Sequence, residues 1–166
     1  MTASRNDLFA LFDKLAIKTT TVNHVPVFTV EEAKKVHDQI PGGHSKNLFC
    51  KDEKDALWLI VALEDARIDL KASKDRIGSK RLTFGKPELL LEILGVAPGS
   101  VTPFGLINDT QAKTNVILDE AMMRLQRLNF HPLKNDATTT ISSDDLITFI
   151  NATGHNPRIV AVSDPA

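Results

Sequence analysis

Near the start of the chain, apolar residues recur at helical spacing (Leu8, Phe9, Leu11, Phe12, Leu15) behind a capping-box-like Ser4 and Asp7, which predicts an amphipathic first helix. The pattern then turns β-branched over 19–24 and reads as a strand. Thr29, with Glu32 three residues later, opens a short helix over 30–38 that Pro41-Gly42-Gly43 ends. Strands are expected at 46–51 and 57–63, paired as a hairpin across the charged turn Asp52-Glu53-Lys54-Asp55. Helical spacing over 68–77 stops at Gly78, a short strand follows at 81–84, and Pro87 heads a helix over 88–94 closed by Gly95. Beyond a Pro98-Gly99 loop, strands are predicted at 101–106, 115–119, 125–131 and 138–142, then a helix over 144–152 and a last strand at 158–162. Strands outnumber helices and come in runs, so the expected fold class is α/β in the mixed α+β sense, with a mixed, mostly antiparallel sheet and peripheral helices. No repeat or linker divides the 166 residues, which predicts a single domain over 1–166.

Composition narrows the class without naming a function. With 42% hydrophobic and 25% charged residues, the chain is globular and not disordered. Its one cysteine, Cys50, has no internal partner, and there is no CxxC or Cys/His cluster, so neither a disulfide framework nor a metal site is expected and no cofactor is implied. That usage suits a reducing cytoplasm. The N-terminus alternates charged and apolar residues, unlike a signal peptide, and the longest apolar run, 56–63, is too short to span a bilayer. A soluble protein with no membrane partner is the expectation.

Charge changes the picture locally. The net charge is −1, yet Lys71, Lys74, Arg76, Lys80, Arg81 and Lys86 face a single acidic residue, Asp75, within sixteen positions. Such a block attracts phosphates by counterion release, or is simply a solvated surface.

Three polar, turn-rich segments could carry chemistry. Lys46 enters a strand straight after Gly-Gly-His-Ser, flanked by apolar neighbours, where a lysine can face a phosphate or a carbonyl or remain a solvated edge cation. Gly99-Ser100-Val101-Thr102-Pro103 combines a residue that lets backbone approach a ligand with a stiff turn, so its N–H groups could hold an oxyanion, although a purely structural turn has the same pattern. His131-Pro132 precedes Asn135-Asp136-Ala137-Thr138-Thr139, where an imidazole beside amides and hydroxyls could orient a substrate or a water, or be held by ordinary hydrogen bonds. No G-x-S-x-G, Walker loop, H-E-x-x-H or G-x-G-x-x-G occurs. Cys50, in mid-strand among apolar residues, reads as core packing and not as a nucleophile.

The segments beginning at His24-Val25-Pro26, Gly42-Gly43-His44-Ser45-Lys46-Asn47, Gly99-Ser100-Val101-Thr102-Pro103 and Asn129-Phe130-His131-Pro132, in that order and at that spacing, resemble the YbaK/prolyl-tRNA synthetase editing-domain family. Within it the chain is most similar to stand-alone Ala-tRNA(Pro) deacylases. The resemblance implies a barrel-like mixed sheet and a pocket for the aminoacylated 3′ end of tRNA(Pro), with prolyl-tRNA synthetase as a possible partner. It implies that Lys46 engages the terminal phosphate or positions the substrate, that the loop of Gly99 lies beside the scissile ester, and that His131 lines the pocket. Val30, Asn47, Ser100, Val101, Thr102, Pro103, Asn135 and Thr138 become substrate-binding candidates, with Val30 and the second helix assigned to the wall that excludes proline. Lys71, Lys74, Arg76, Lys80 and Arg81 become tRNA-binding candidates. Hydrolysis in the family is held to use a positioned water assisted by a ribose hydroxyl of the substrate, which suits a chain with no nucleophile motif. Val25 stands where relatives often have proline, and Cys50 where an aliphatic residue is common. A deacylase of Cys-tRNA(Pro) or Ser-tRNA, a non-catalytic tRNA-binding module, and a regulatory domain without a tRNA role stay open.

Overall fold

The computed structural model describes residues 2–26 and 29–164, with Val30 described in its backbone only. Eight strands form one mixed sheet in the order β1-β7-β6-β2-β3-β5-β8, with β4 on β2. They are β1 Thr20–Asn23, β2 Gly43–Asp52, β3 Leu57–Leu63, β4 Leu82–Phe84, β5 Thr114–Asp119, β6 Arg127–Phe130, β7 Ala137–Ser142 and β8 Arg158–Val160. The helices are α1 Arg5–Lys14, α2 Val30–Gln39, α3 Leu70–Ile77, α4 Pro87–Leu94, α5 Glu120–Met123 and α6 Ser143–Ala152. The path is open, so the sheet is mixed, as expected, and does not close on itself. No helix among the described residues is long and apolar enough to cross a membrane.

Local chemistry explains the element ends. Ser4 accepts from the Asp7 N–H while Asp7 caps the Ser4 N–H, closing the capping box of α1. Thr29 Oγ1 takes the Glu32 N–H at 3.1 Å at the head of α2. α3 and α4 both end on left-handed glycines, Gly78 and Gly95.

β2 is the spine. One edge pairs antiparallel with β3 from Ser45 opposite Leu63 to Lys51 opposite Leu57. The other edge pairs in parallel with β6 at Gly43 and His44 and antiparallel with β4 at Cys50 to Asp52. Strand alternation sends Phe49, Leu59 and Val61 into the larger core, where Phe12, Phe104 and Phe149 meet edge-on at 5.2–5.6 Å. Cys50, Trp58 and Ile60 point to a smaller core with Ile77, Leu82 and Val162.

One predicted element is corrected. Residues 101–106 are not a strand: Thr102 Oγ1 accepts from Phe104 N–H and caps a 3-10 helix, Pro103–Asn108, that buries Phe104 and Leu106. Gly105 makes that possible, because a Cβ there would stand 2.8 Å from the Leu94 carbonyl oxygen. The four-residue α5 was not anticipated.

Candidate active site

Past His44 the edge of β2 separates from β6, and the side chains that bridge the opening form a polar cavity of about 30 Å³. Its walls are His37, His44, Ser45, Asn47, Asn129, Phe130, His131 and Thr138. Ser45 Oγ donates to the Asn129 carbonyl at 2.9 Å, and Asn47 Nδ2 donates to Ser45 Oγ at 3.3 Å. Asn47 Oδ1 is buried with no hydrogen-bond partner among the described residues. Asn129 Nδ2 donates to the Pro41 carbonyl at 3.1 Å, and the Thr140 hydroxyl donates to Asn129 Oδ1.

Histidines define the electrostatics. His131 Nδ1–H donates to the Ala137 carbonyl at 3.0 Å, which leaves Nε2 as the acceptor of a neutral ring. Burial lowers the His131 pKa below 6.5, with a smaller contribution from His24, so the ring is neutral at physiological pH. His24 lies 6.5 Å away, centroid to centroid; its Nδ1–H donates to the Val25 carbonyl, and its Nε2 accepts from the Thr138 hydroxyl at 2.8 Å. Opposite them His37 and His44 stack at 3.9 Å. Burial and then the neighbouring His44 lower the pKa of His37, against the pull of Glu64, whose carboxylate lies 2.7 Å from Nδ1. Leu133 adopts φ 75°, a left-handed backbone that a branched residue holds only under constraint, in the segment that presents His131.

The candidate residues are brought together in part. His131, Thr138 and Asn47 line the cavity. Lys46 shares a strand face with His44, about 7 Å along β2, but its ammonium donates to the Ala66 carbonyl in the turn after β3. The loop of Gly99 meets the site indirectly. A Cβ on Gly99 would come within 4.0 Å of Asn135, and Phe104 packs edge-on at 5.6 Å against Phe130 in the cavity wall. Ser100 N–H is tied to the Ala97 carbonyl, Thr102 and Pro103 are buried, and Val101 is partly buried. Of Val30, only its place at the head of α2 is described.

Lys71 is exposed on α3, Lys80 and Arg81 are exposed in the turn between α3 and β4, and Lys74 is partly buried. Arg76 is committed to structure, with bonds of 2.9 Å to the Val162 carbonyl and to Asp164. β4 joins β2 at Cys50 to Asp52, so this basic block begins about 20 Å from Ser45 along the strand. His24, His37, His44, Ser45 and Asn129 were not singled out from sequence. The available signal was that four of the five histidines precede or follow the glycine and proline turns that the structure gathers. Burial pushes the Cys50 thiol up to about 12, which disqualifies it as a nucleophile. Among the described residues, no group of three or more His, Cys, Asp or Glu could hold a metal ion.

A water-sized polar cavity walled by imidazoles, amides and hydroxyls has the size and the donors and acceptors to hold a water beside a small acyl group. The chain belongs to the aminoacyl-tRNA editing domain family, whose model matches residues 24–149, and it is an aminoacyl-tRNA deacylase. It is 35% identical to the prolyl-tRNA editing protein ProX of Acetoanaerobium sticklandii, covering 95% of this chain and 96% of that one. It is 40% identical to the prolyl-tRNA synthetase associated domain-containing protein 1 of Bos taurus over 88% of each chain. The solved structure of a candidate trans-editing enzyme for prolyl-tRNA synthetase shares the fold with TM-score 0.71, 20% identity and 99% coverage of both chains.

Proposed function

We propose that residues 1–166 act as one free-standing editing domain in the cytoplasm that hydrolyses mischarged Ala-tRNA(Pro) released by, or shared with, prolyl-tRNA synthetase. The observation that carries the reading is the size and chemistry of the histidine cavity. On this reading the water-sized space of about 30 Å³ seats a methyl side chain, and the larger pyrrolidine ring meets the histidine and asparagine walls. Alanine is therefore admitted and proline is refused by clash, which is the logic of a second sieve. Relatives named for prolyl-tRNA editing and for association with prolyl-tRNA synthetase support the choice of tRNA.

In this reading the water oxygen attacks the ester carbonyl, the bond from that carbon to the ribose oxygen breaks, and the ribose hydroxyl and free alanine form. His131 Nε2 accepts a hydrogen bond from the water, and Thr138 and Asn47 fix its orientation. In the loop of Gly99, Ser100 and Val101 the Ser100 N–H is taken by the Ala97 carbonyl, so the N–H groups of Gly99 and Val101 are the ones assigned to the developing oxyanion. Lys46 leaves the Ala66 carbonyl and engages the terminal phosphate. Val30, Thr102, Pro103 and Asn135 hold the walls of the acyl site, while Lys71, Lys74, Arg76, Lys80 and Arg81 attract the acceptor stem.

The test is deacylation of Ala-tRNA(Pro), Cys-tRNA(Pro) and Pro-tRNA(Pro) by the wild type and by Lys46→Ala, with EDTA present. Selective loss of alanine that depends on Lys46 is expected. Preferential hydrolysis of the cysteinyl ester would transfer the specificity, and survival of all three esters would leave a binding module.

A further inference from the structure

A second and larger cavity, of about 780 Å³, lies on the other side of the turn that holds Lys46. Its lining follows from topology. β3, β5 and β8 run parallel to one another, and most of the cavity wall comes from residues at and just beyond their carboxyl ends: Leu63 with 65–67, 119–121, and Ala161 with Ser163 and Asp164, joined by Arg124. The crevice outside the carboxyl ends of parallel strands is where open α/β sheets bind ligands.

Asp119 belongs to that lining and is completely buried. Its Oδ1 accepts the N–H groups of Val162 at 3.0 Å and Ser163 at 3.2 Å, while Oδ2 is buried with no partner among the described residues. A buried carboxylate oxygen left in this state calls for a donor. At the rim the Arg67 guanidinium is exposed and has no ion-pair partner among the described residues. The turn behind this cavity also touches the histidine site: Glu64 binds His37 through its carboxylate and donates its backbone N–H to the His44 carbonyl, and Ala66, one wall of the larger cavity, holds the Lys46 ammonium. Arg76 bonds to Asp164 at 2.9 Å and so brings the basic α3 to the same rim.

We propose that this cavity seats a nucleobase of the single-stranded CCA end of the tRNA, with the base's exocyclic amine donating to Asp119 Oδ2 and Arg67 meeting a neighbouring phosphate. The proposal rests on the editing reading and gives the same site its nucleotide-binding half. Carboxylate acceptance from an exocyclic amine is a standard base contact, the volume falls in the usual range for small-ligand sites, and the ester would reach the histidine cavity past Lys46. Adenine and cytosine share that chemistry.

The test is a set of equilibrium titrations of the full chain with the RNA trinucleotide CCA, with its terminal adenosine replaced by inosine, and with its middle cytidine replaced by uridine. One of the two replacements is expected to weaken binding by roughly tenfold or more, and which one does so identifies the seated base. Asp119→Asn keeps an amide oxygen for the Val162 and Ser163 N–H groups and presents an NH2 in place of Oδ2, so it should reverse that preference. Arg67→Ala, an exposed change, should weaken all three ligands alike and leave the preference intact. Equal affinity for the three trinucleotides, or an unreversed preference in a folded Asp119→Asn, overturns the proposal. If Asp119→Asn does not fold, the wild-type preference together with uniform weakening by Arg67→Ala decides. These titrations involve no ester, so base-blind binding by an active deacylase removes this subsite alone, whereas a protein that neither binds CCA nor deacylates loses both readings.

Discussion

Replacing Asp109 with alanine tests whether a buried, hydrogen-bonded carboxylate holds the frame that carries the site. Asp109 sits at the end of the 3-10 helix that follows the loop of Gly99, 4% exposed, against a His155 that is 3% exposed. Its Oδ2 accepts from His155 Nε2 at 2.8 Å and from the Thr114 N–H at 2.8 Å, and its Oδ1 accepts from the Lys113 N–H at 3.1 Å. Burial by itself raises this carboxyl's pKa, but the bonds from His155, Thr114 and Lys113 more than offset it and hold the value below 3.8. Removing one partner of a buried, hydrogen-bonded pair costs about 3–5 kcal/mol. At roughly 2–4 °C per kcal/mol for a domain of this size, Asp109→Ala should lower Tm at pH 7 by about 6–20 °C. The sign of the pH dependence follows from the depressed pKa. The stabilisation is fully present above the unfolded value near 3.8 and is lost as pH falls through the lower folded value. Calorimetry of both proteins from pH 7 to pH 3 should therefore show the gap in Tm constant down to about pH 4 and narrowing below it. A gap that stays constant to pH 3, or a Tm loss under 2 °C, would refute the assignment of this stabilisation to an ionised Asp109.

Three further outcomes are expected. His131→Asn should lower kcat/KM for the mischarged ester by roughly 100- to 10,000-fold and abolish an acid limb whose midpoint in the wild type lies below 6.5; a pH–rate profile of the variant that keeps that limb argues against His131 as the titrating group. Converting Lys71, Lys74, Lys80 and Arg81 together to glutamine should flatten the salt dependence of tRNA binding, by about 0.7 in log–log slope for each phosphate no longer neutralised, and titration at several salt concentrations reads the change directly. Gly105→Ala places a Cβ 2.8 Å from the Leu94 carbonyl and 3.0 Å from its Cβ, so denaturant unfolding should show a loss of about 1–3 kcal/mol; an unchanged midpoint would mean that α4 and the 3-10 helix slide apart freely.

Sequence patterns gave up the elements whose signals are local. The charged turn 52–55 between two apolar stretches marked the β2–β3 hairpin, and caps marked α1, α3 and α4 within two residues. The segment 101–106 misled because Val101, Phe104 and Leu106 look like a short strand, whereas Thr102 as a cap, Pro103 as a first helical residue and the close approach of Gly105 to Leu94 favour a 3-10 turn. α5, at four residues, is too short to show a period. The parallel pairings of β2 with β6, β3 with β5 and β5 with β8 leave no local trace, since their partners lie tens of residues apart. The site divided in the same way. His131, Thr138 and Asn47 were visible as polar residues beside turns, but the stacking of His37 on His44 depends on α2 folding back over the start of β2, and Asp119 acquired interest only when β8 brought Val162 and Ser163 to one of its oxygens and left the other unpartnered.

The absence of a protein nucleophile is consistent with this geometry. Cys50, the only thiol, points into the smaller core with its pKa pushed to about 12, and so takes no part in the reaction. An aminoacyl ester is already activated, so on the proposed reading the task left to the protein is to place one water, to hold the carbonyl oxygen and to keep the cognate prolyl group out. A neutral His131 suits the first task, because in its protonated form it would offer the water a donor where an acceptor is needed, and burial lowers its pKa below 6.5. The same burial limits the volume, so on the proposed reading the feature that tunes His131 and the feature that would exclude proline have one cause. Enlarging the cavity at Thr138 or Asn129 would therefore wet His131, raise its pKa toward 6.5 and relax the sieve together, which separates this arrangement from one in which specificity and catalysis are carried by different residues.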